Sequence, residues 1–217
     1  MSSWYEKINK QTDYILQEIK KHPFIIELMD GTLSKDIFNF YINQDAQYLA
    51  VYKKMLAALA IKCSDETDTQ FFLKAATETI HVENALHQNF LKDSKVITTP
   101  SPSCEFYTSF LASKIYMQPT EIGLAAVLPC FTIYKQIGDY ILEHQTGKAN
   151  NPYQDWINTY GGEDFANSVR QAIKITDRYA QTVSEKTIEE MNLAFEKSSK
   201  LEWMFWDSAY NKESWKI

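Results

Sequence analysis

Cys130 lies in Leu128-Pro129-Cys130-Phe131-Thr132-Ile133-Tyr134, an apolar stretch of helical pattern with a proline inside it. A proline within a helix removes one backbone hydrogen bond and kinks the chain, so the thiol stands beside a local irregularity. Tyr134 follows one turn later on the same face. A thiol so placed is a candidate nucleophile, and the opposing reading is a small, inert core residue. Two acids add to the pattern. Phe38, Tyr41, Ile42, Asp45, Tyr48, Leu49 and Tyr52 recur at helical spacing, which puts Asp45 on an apolar stripe. Phe195, Ser198, Glu202 and Phe205 share a face in the same way, with Trp203, Met204 and Trp206 around the acid. A buried carboxylate is costly unless hydrogen-bonded, and one among aromatic rings suits proton transfer near neutral pH through a raised pKa. Either acid alone also fits a purely structural network. With the thiol and the inward tyrosines, the two fit a pocket that holds a flat aromatic ligand between rings.

Positioning these groups requires helices. Successive stretches carry the apolar period of amphipathic helices, over roughly 3–21, 34–63, 66–93, 103–117, 120–145, 152–159, 162–181 and 187–211. Asp30-Gly31-Thr32 and Gly161-Gly162 read as turns, Thr99-Pro100-Ser101-Pro102 as a loop, and His22-Pro23 as a helix boundary. Thr187-Ile188-Glu189-Glu190 has the form of a capping box opening the last helix. Glycine and proline are scarce, at six each, against thirteen tyrosines and twelve phenylalanines, which favours helices over strands and turns. The fold class is therefore all-α, and 217 residues without a linker-like tract suggest a single helical domain over 1–217.

Composition excludes several functions. A formal net charge of −6 with dispersed lysines argues against a nucleic-acid partner. No apolar run is long enough to span a bilayer, and Met1-Ser2-Ser3-Trp4-Tyr5-Glu6-Lys7 lacks a signal peptide's apolar core. Cys63, Cys104 and Cys130 show no paired spacing, so neither a disulfide framework nor a zinc site is indicated, and a cytoplasmic setting is expected. Glu78-Thr79-Ile80-His81 has the Glu-x-x-His form of carboxylate-bridged di-iron bundles, but no second copy exists. Glu83 and His87 form one i, i+4 pair, and His22 is a conceivable haem ligand that reads better as a boundary residue. No metal is expected.

Longer segments carry a family signature. His22-Pro23-Phe24, Leu28-Met29-Asp30-Gly31-Thr32-Leu33 and Phe40-Tyr41-Ile42-Asn43-Gln44-Asp45-Ala46-Gln47-Tyr48-Leu49 are followed by Leu128-Pro129-Cys130 with Tyr134 and Gly138. Then come Trp156-Ile157, Thr159-Tyr160-Gly161-Gly162 and Glu202-Trp203-Met204-Phe205-Trp206-Asp207-Ser208-Ala209-Tyr210. In order and spacing these resemble the TenA, or thiaminase II, family from about residue 20 to 210. The resemblance implies a helical bundle of the haem-oxygenase-like type without haem or other cofactor, assembled as a homotetramer. It implies hydrolysis of 4-amino-5-aminomethyl-2-methylpyrimidine to the hydroxymethyl pyrimidine and ammonia, and of thiamin to that pyrimidine and the thiazole alcohol, in thiamin salvage. Cys130 places the chain in the cysteine-containing class. The resemblance makes Cys130 the nucleophile, Glu202 the acid/base and Tyr48 the tyrosine that assists the thiol. It makes Asp45 the acid gripping the aminopyrimidine, with Tyr134, Tyr160, Tyr107 and Phe205 around the substrate. A non-catalytic pyrimidine-binding or regulatory relative, and a di-iron or haem-type oxidase on the same fold, are the alternatives.

Overall fold

The computed structural model describes residues 2–90, 99–147 and 150–217, without the side chains of 81–90. Among these residues there are ten helices and no strand: α1 Trp4–Gln11, α2 Asp13–Lys20, α3 Pro23–Asp30, α4 Lys35–Lys62, α5 Glu66–Phe90, α6 Pro102–Met117, α7 Thr120–His144, α8 Gln154–Gly161, α9 Glu163–Ala180 and α10 Glu185–Tyr210. The all-helical expectation is met. The chain divides into two compact units, each assembled from separated segments: residues 1–33 with 125–203, and residues 34–124 with 204–217. Helices α7 and α10 contribute to both.

In the first unit, the periodicity over 3–21 resolves into two helices. Ser3 and Glu6 form a capping box that opens α1. The helix stops at Thr12, whose hydroxyl turns back to the Ile8 carbonyl at 2.8 Å, the local competition that makes threonine a poor helix interior. A helix α3 that the sequence reading did not expect follows. Its limits were legible: the Nδ1 of His22 accepts from the Phe24 N–H at 3.1 Å, Pro23 takes the first helical position, and Gly31 ends it at φ 71°. Two turns rich in apolar residues show too little polar contrast to reveal a period. The last helix begins at Glu185, not Thr187, because Ser184 is the cap and accepts from the Thr187 N–H at 3.3 Å.

Three contacts in this unit fix α7. The Ser198 hydroxyl of α10 donates to the Ala126 carbonyl at 2.6 Å. The Gln136 amide of α7 donates to the Tyr5 hydroxyl at 3.1 Å and to Asn9 Oδ1 at 3.2 Å, both on α1. Gly138 meets the end of α8 so closely that a Cβ there would lie 2.7 Å from both the Tyr160 carbonyl carbon and the Gly161 nitrogen. Nearby, Lys135 donates to the Gly161 carbonyl at 3.3 Å, placing a cation at a helix C-terminus.

The second unit is built on α4, which packs against α5 and α6. Phe38, Tyr41, Ile42, Asp45, Tyr48, Leu49 and Tyr52 are all buried, as the spacing predicts. Asn43, Gln44 and Ala46 are buried as well, so the middle of this helix is enclosed around its circumference. The Lys62 ammonium caps the far end of α6, donating to the carbonyls of Ile115 at 2.7 Å and Gln118 at 2.6 Å. Of the sequence-stretch ends, that of 66–93 and the metal-like residues His81, Glu83 and His87 lie outside what the structure describes in side-chain detail. No helix of the described residues is long and apolar enough to cross a membrane.

A buried thiol and a half-buried tyrosine give the fold a pH limit. Burial pushes the Cys104 thiol from 9.0 up to about 12, with the carboxylates of Asp45 and Glu105 adding to the effect. Burial likewise pushes the Tyr5 hydroxyl from 10.0 up to about 12, with Asp177 adding and hydrogen bonds to Thr132 and Gln136 opposing. The native state therefore holds these protons after the unfolded chain has released them. Their contribution is complete below pH 9 and is lost as pH rises towards 12, at most about 4 kcal/mol for Cys104 at 1.36 kcal/mol per pK unit. Urea unfolding between pH 8 and 11 should show stability falling from about pH 9, and Cys104→Ala should flatten the early part of the fall; an unchanged slope in that variant contradicts the assignment. Gly138→Ala should destabilise the protein by about 1–3 kcal/mol, because its neighbours are backbone atoms that cannot rotate away. Denaturant titration measures this, and a neutral result would mean that α8 shifts freely.

Candidate active site

In the first unit, α7 presents Cys130 and Tyr134 one turn apart. Cys130 is half-buried and Tyr134 is buried. The Tyr134 ring lies 4.7 Å, centroid to centroid, from Tyr160 at the end of α8. Trp156 completes the cluster, 4.8 Å from Tyr160 and 6.1 Å from Tyr134. The close approach at Gly138 makes the meeting of the two tyrosines possible, since it brings the backbone of Tyr160 onto α7. Glu202 on α10 is 1% exposed. It sits one turn beyond Ser198, and Cys130 sits one turn beyond Ala126. The Ser198–Ala126 hydrogen bond thus ties together the segments that carry the acid and the thiol. Pro129 has no N–H for the carbonyl of Ala125, so the helix is already short of a donor next to this junction. Trp203 faces away to an edge-on contact with His22 at 5.5 Å.

In the second unit, Asp45 is 2% exposed on α4. One turn on, Tyr48 is the hub of an aromatic cluster. Its ring lies 4.9 Å from Tyr107 of α6, 5.7 Å from Phe205 of α10 and 5.3 Å from Tyr52, with which it stacks at 20°. Tyr41 meets Phe205 edge-on at 6.0 Å. The structure thus brings Cys130, Tyr134, Tyr160 and Glu202 into one unit, and Asp45, Tyr48, Tyr107 and Phe205 into the other. All except Cys130 are buried.

Sequence reasoning missed Trp156 as a partner of the tyrosines, and it missed Gln44. The signal for Gln44 was present: Asn43-Gln44-Asp45 puts three polar residues in succession inside an otherwise apolar helix, which a single stripe cannot accommodate. Cys104, fully buried and with its thiol raised to about 12, is an inert core cysteine. An open groove of about 540 Å³ in the first unit, lined by Ile8, Thr12, Tyr14, Asn192, Leu193 and Glu196, holds none of the candidate residues. Among the described residues, no group of three or more His, Cys, Asp or Glu is arranged to hold a metal ion.

Comparison with known proteins agrees with this architecture. The chain is 34% identical over 200 residues to the aminopyrimidine aminohydrolase of Bacillus subtilis, covering 89% of this chain and 84% of that one. It is 36% identical over 195 residues to a thiamine biosynthesis multifunctional protein of Corynebacterium glutamicum, covering 90% of this chain but 25% of that longer protein. The chain therefore spans about a quarter of that multifunctional relative. A TenA homologue from P. horikoshii superposes with a TM-score of 0.86 at 25% identity, over 97% of this chain and 99% of that one. A domain with a heme oxygenase-like fold from Shewanella denitrificans superposes at 0.76 with 16% identity, over 95% and 92% of the two chains, which shows the shared fold. A model of the TENA/THI-4/PQQC family matches residues 9–212, almost the whole sequence, and the chain belongs to that family.

Proposed function

We propose that the chain is an aminopyrimidine aminohydrolase of thiamin salvage that works by covalent catalysis from Cys130. The observation that carries the reading is the burial of two carboxylates, Asp45 and Glu202, among aromatic rings on helices whose sequences match the family pattern. Buried acids are expensive, and a site for a small cationic or hydrogen-bonding heterocycle gives both of them work. The likeness to the Bacillus subtilis aminohydrolase over most of both chains supports the substrate class. Thiamin itself serves as a second substrate, and the protein acts in the cytoplasm as a homotetramer with no nucleic-acid partner.

The chemistry follows from the residue types. Direct displacement of an amine at the methylene arm of a pyrimidine is slow because the leaving group is poor. The Cys130 thiolate adds to a ring carbon of the electron-poor pyrimidine, and the electron pair pushed into the ring expels the amine, which leaves with a proton from Glu202. Water then adds at the exocyclic methylene while Glu202 takes up its proton, and the thiolate departs to restore the ring. Asp45 accepts a hydrogen bond from the exocyclic amino group and fixes the ring's orientation. A thiolate needs local donors or positive charge, and Tyr48 is the tyrosine that assists the thiol. Tyr134, Tyr160, Tyr107 and Phe205 hold the pyrimidine plane, at about 0.5–1.5 kcal/mol per aromatic contact.

Ammonia release from the aminomethyl pyrimidine, run beside thiamin as a competing substrate, tests the assignment. Cys130→Ser should fold normally by circular dichroism and lose nearly all turnover; substantial residual activity would remove the covalent route. Glu202→Gln should lower kcat by roughly 10²–10⁴, the range for a general acid–base group, and a change in affinity alone would reduce its role to binding. Asp45→Asn should chiefly weaken pyrimidine binding, measured by calorimetry in the Cys130→Ser background, and unchanged affinity would detach it from the substrate.

A further inference from the structure

Ser198 is fully buried and has no part in the chemistry set out above, yet its hydroxyl leaves its own helix. A serine inside a helix ordinarily bonds back to the carbonyl one turn before it. The next residue does so: Ser199, 1% exposed, donates to the Phe195 carbonyl at 2.8 Å. Ser198 instead crosses from α10 to α7 and donates to the Ala126 carbonyl at 2.6 Å. Two buried hydroxyls in adjacent positions thus differ in reach, one closing on its own helix and one joining two helices.

The carbonyl that Ser198 meets is the one that belongs to the thiol's turn. In an α-helix the carbonyl of one residue accepts from the N–H four residues on, so Ala126 is the backbone partner of Cys130. The carbonyl beside it, at Ala125, would accept from residue 129, which is a proline and has no N–H. The turn that carries the thiol therefore lacks one backbone bond at Ala125 and receives an extra one from α10 at Ala126. On α10 the donor holds the matching place, since Glu202 follows Ser198 by one turn as Cys130 follows Ala126. A single direct bond thus registers the acid's helix against a turn whose own ladder is interrupted, and all four residues lie in one unit. A buried hydrogen bond sets distance and direction, which apolar packing does not. We infer that Ser198 is a positioning residue for the hydrolysis: through the Ala126 carbonyl it holds the Cys130 turn in register with Glu202, so that thiol and acid meet the same bound pyrimidine. This inference rests on the aminopyrimidine reading and adds a residue that reading does not use.

Ser198→Ala removes the hydroxyl but leaves the Ala126 carbonyl its helical partner, so no buried group is orphaned. It should lower kcat for ammonia release by about tenfold or more, the scale of a small misplacement of reacting groups. KM, and the Kd for the pyrimidine in the Cys130→Ser background, should change by less than about twofold. Ser198→Cys has similar size and a weaker donor; its kcat should fall between the two, and it carries the test should Ser198→Ala fail to fold. Ser199→Ala is the matched control, since it removes a buried hydroxyl that stays on its own helix. It should lower the melting temperature and leave kcat as in the parent. In the Glu202→Gln background the loss from Ser198→Ala should shrink to less than about twofold, because no acid remains to be held in register. An active parent with unchanged kcat in Ser198→Ala, or in Ser198→Cys where that variant stands in, overturns this inference and leaves the proposed function intact. An equal loss in Ser199→Ala, or a loss undiminished in Glu202→Gln, does the same. A parent that neither binds nor turns over the pyrimidine overturns the function and this inference with it.

Discussion

Keeping Asp45 and Glu202 away from water is the constraint on which the arrangement of both units depends. Carboxylates at 2% and 1% exposure forfeit hydration that only nearby donors can replace, so the helices bearing them cannot be lined by aliphatic residues alone. The sequence around each acid answers that need with tyrosines, tryptophans, serines and amides where an ordinary helical core has leucine and valine. The wealth of aromatic residues is part of the same solution. A tyrosine supplies a large apolar face together with a hydroxyl, so it fills volume beside an acid without leaving it surrounded by hydrocarbon.

The two cysteines within helices, Cys104 and Cys130, show how little sequence context separates an enclosed thiol from an accessible one. Both lie near a proline, within helices, among aromatic residues. Cys104 is fully enclosed and donates to a backbone carbonyl beside a carboxylate, all of which favour the neutral thiol. Cys130 is half-buried, next to a helical position whose proline leaves the backbone short of a donor. Access to solvent divides the two thiols, and it is a property of tertiary packing.

What could be read in advance follows the same division. Helix α4 was legible to within a residue, because Ser34 opens it, its period is sustained over seven turns and Cys63 closes it in an extended conformation. Asp45 and Glu202 were legible as inward-facing for the same reason: a stripe fixes a direction. Helix α3 was not legible, since two mainly apolar turns offer no contrast, and neither was the break at Thr12, where one hydroxyl outweighs an unbroken pattern. Gln44 escaped because periodicity describes one face, and the middle of α4 is buried on all of them. The family was recognisable from the order of its short motifs, although the contacts at Gly138 and Ser101 that give those motifs their geometry join segments distant in the chain.

The interleaving of the two units in the chain has a consequence for synthesis. One unit needs residues 1–33 and cannot close until 125–203 exist, and the other begins at residue 34 and awaits 204–217. Helices α4, α5 and α6 can meet as soon as they are made, but neither core can be completed while the chain is half made. Sequence-distant contacts of this kind slow folding and leave apolar faces exposed in the interval. Premature termination anywhere before the last helix therefore yields a fragment with two unfinished cores.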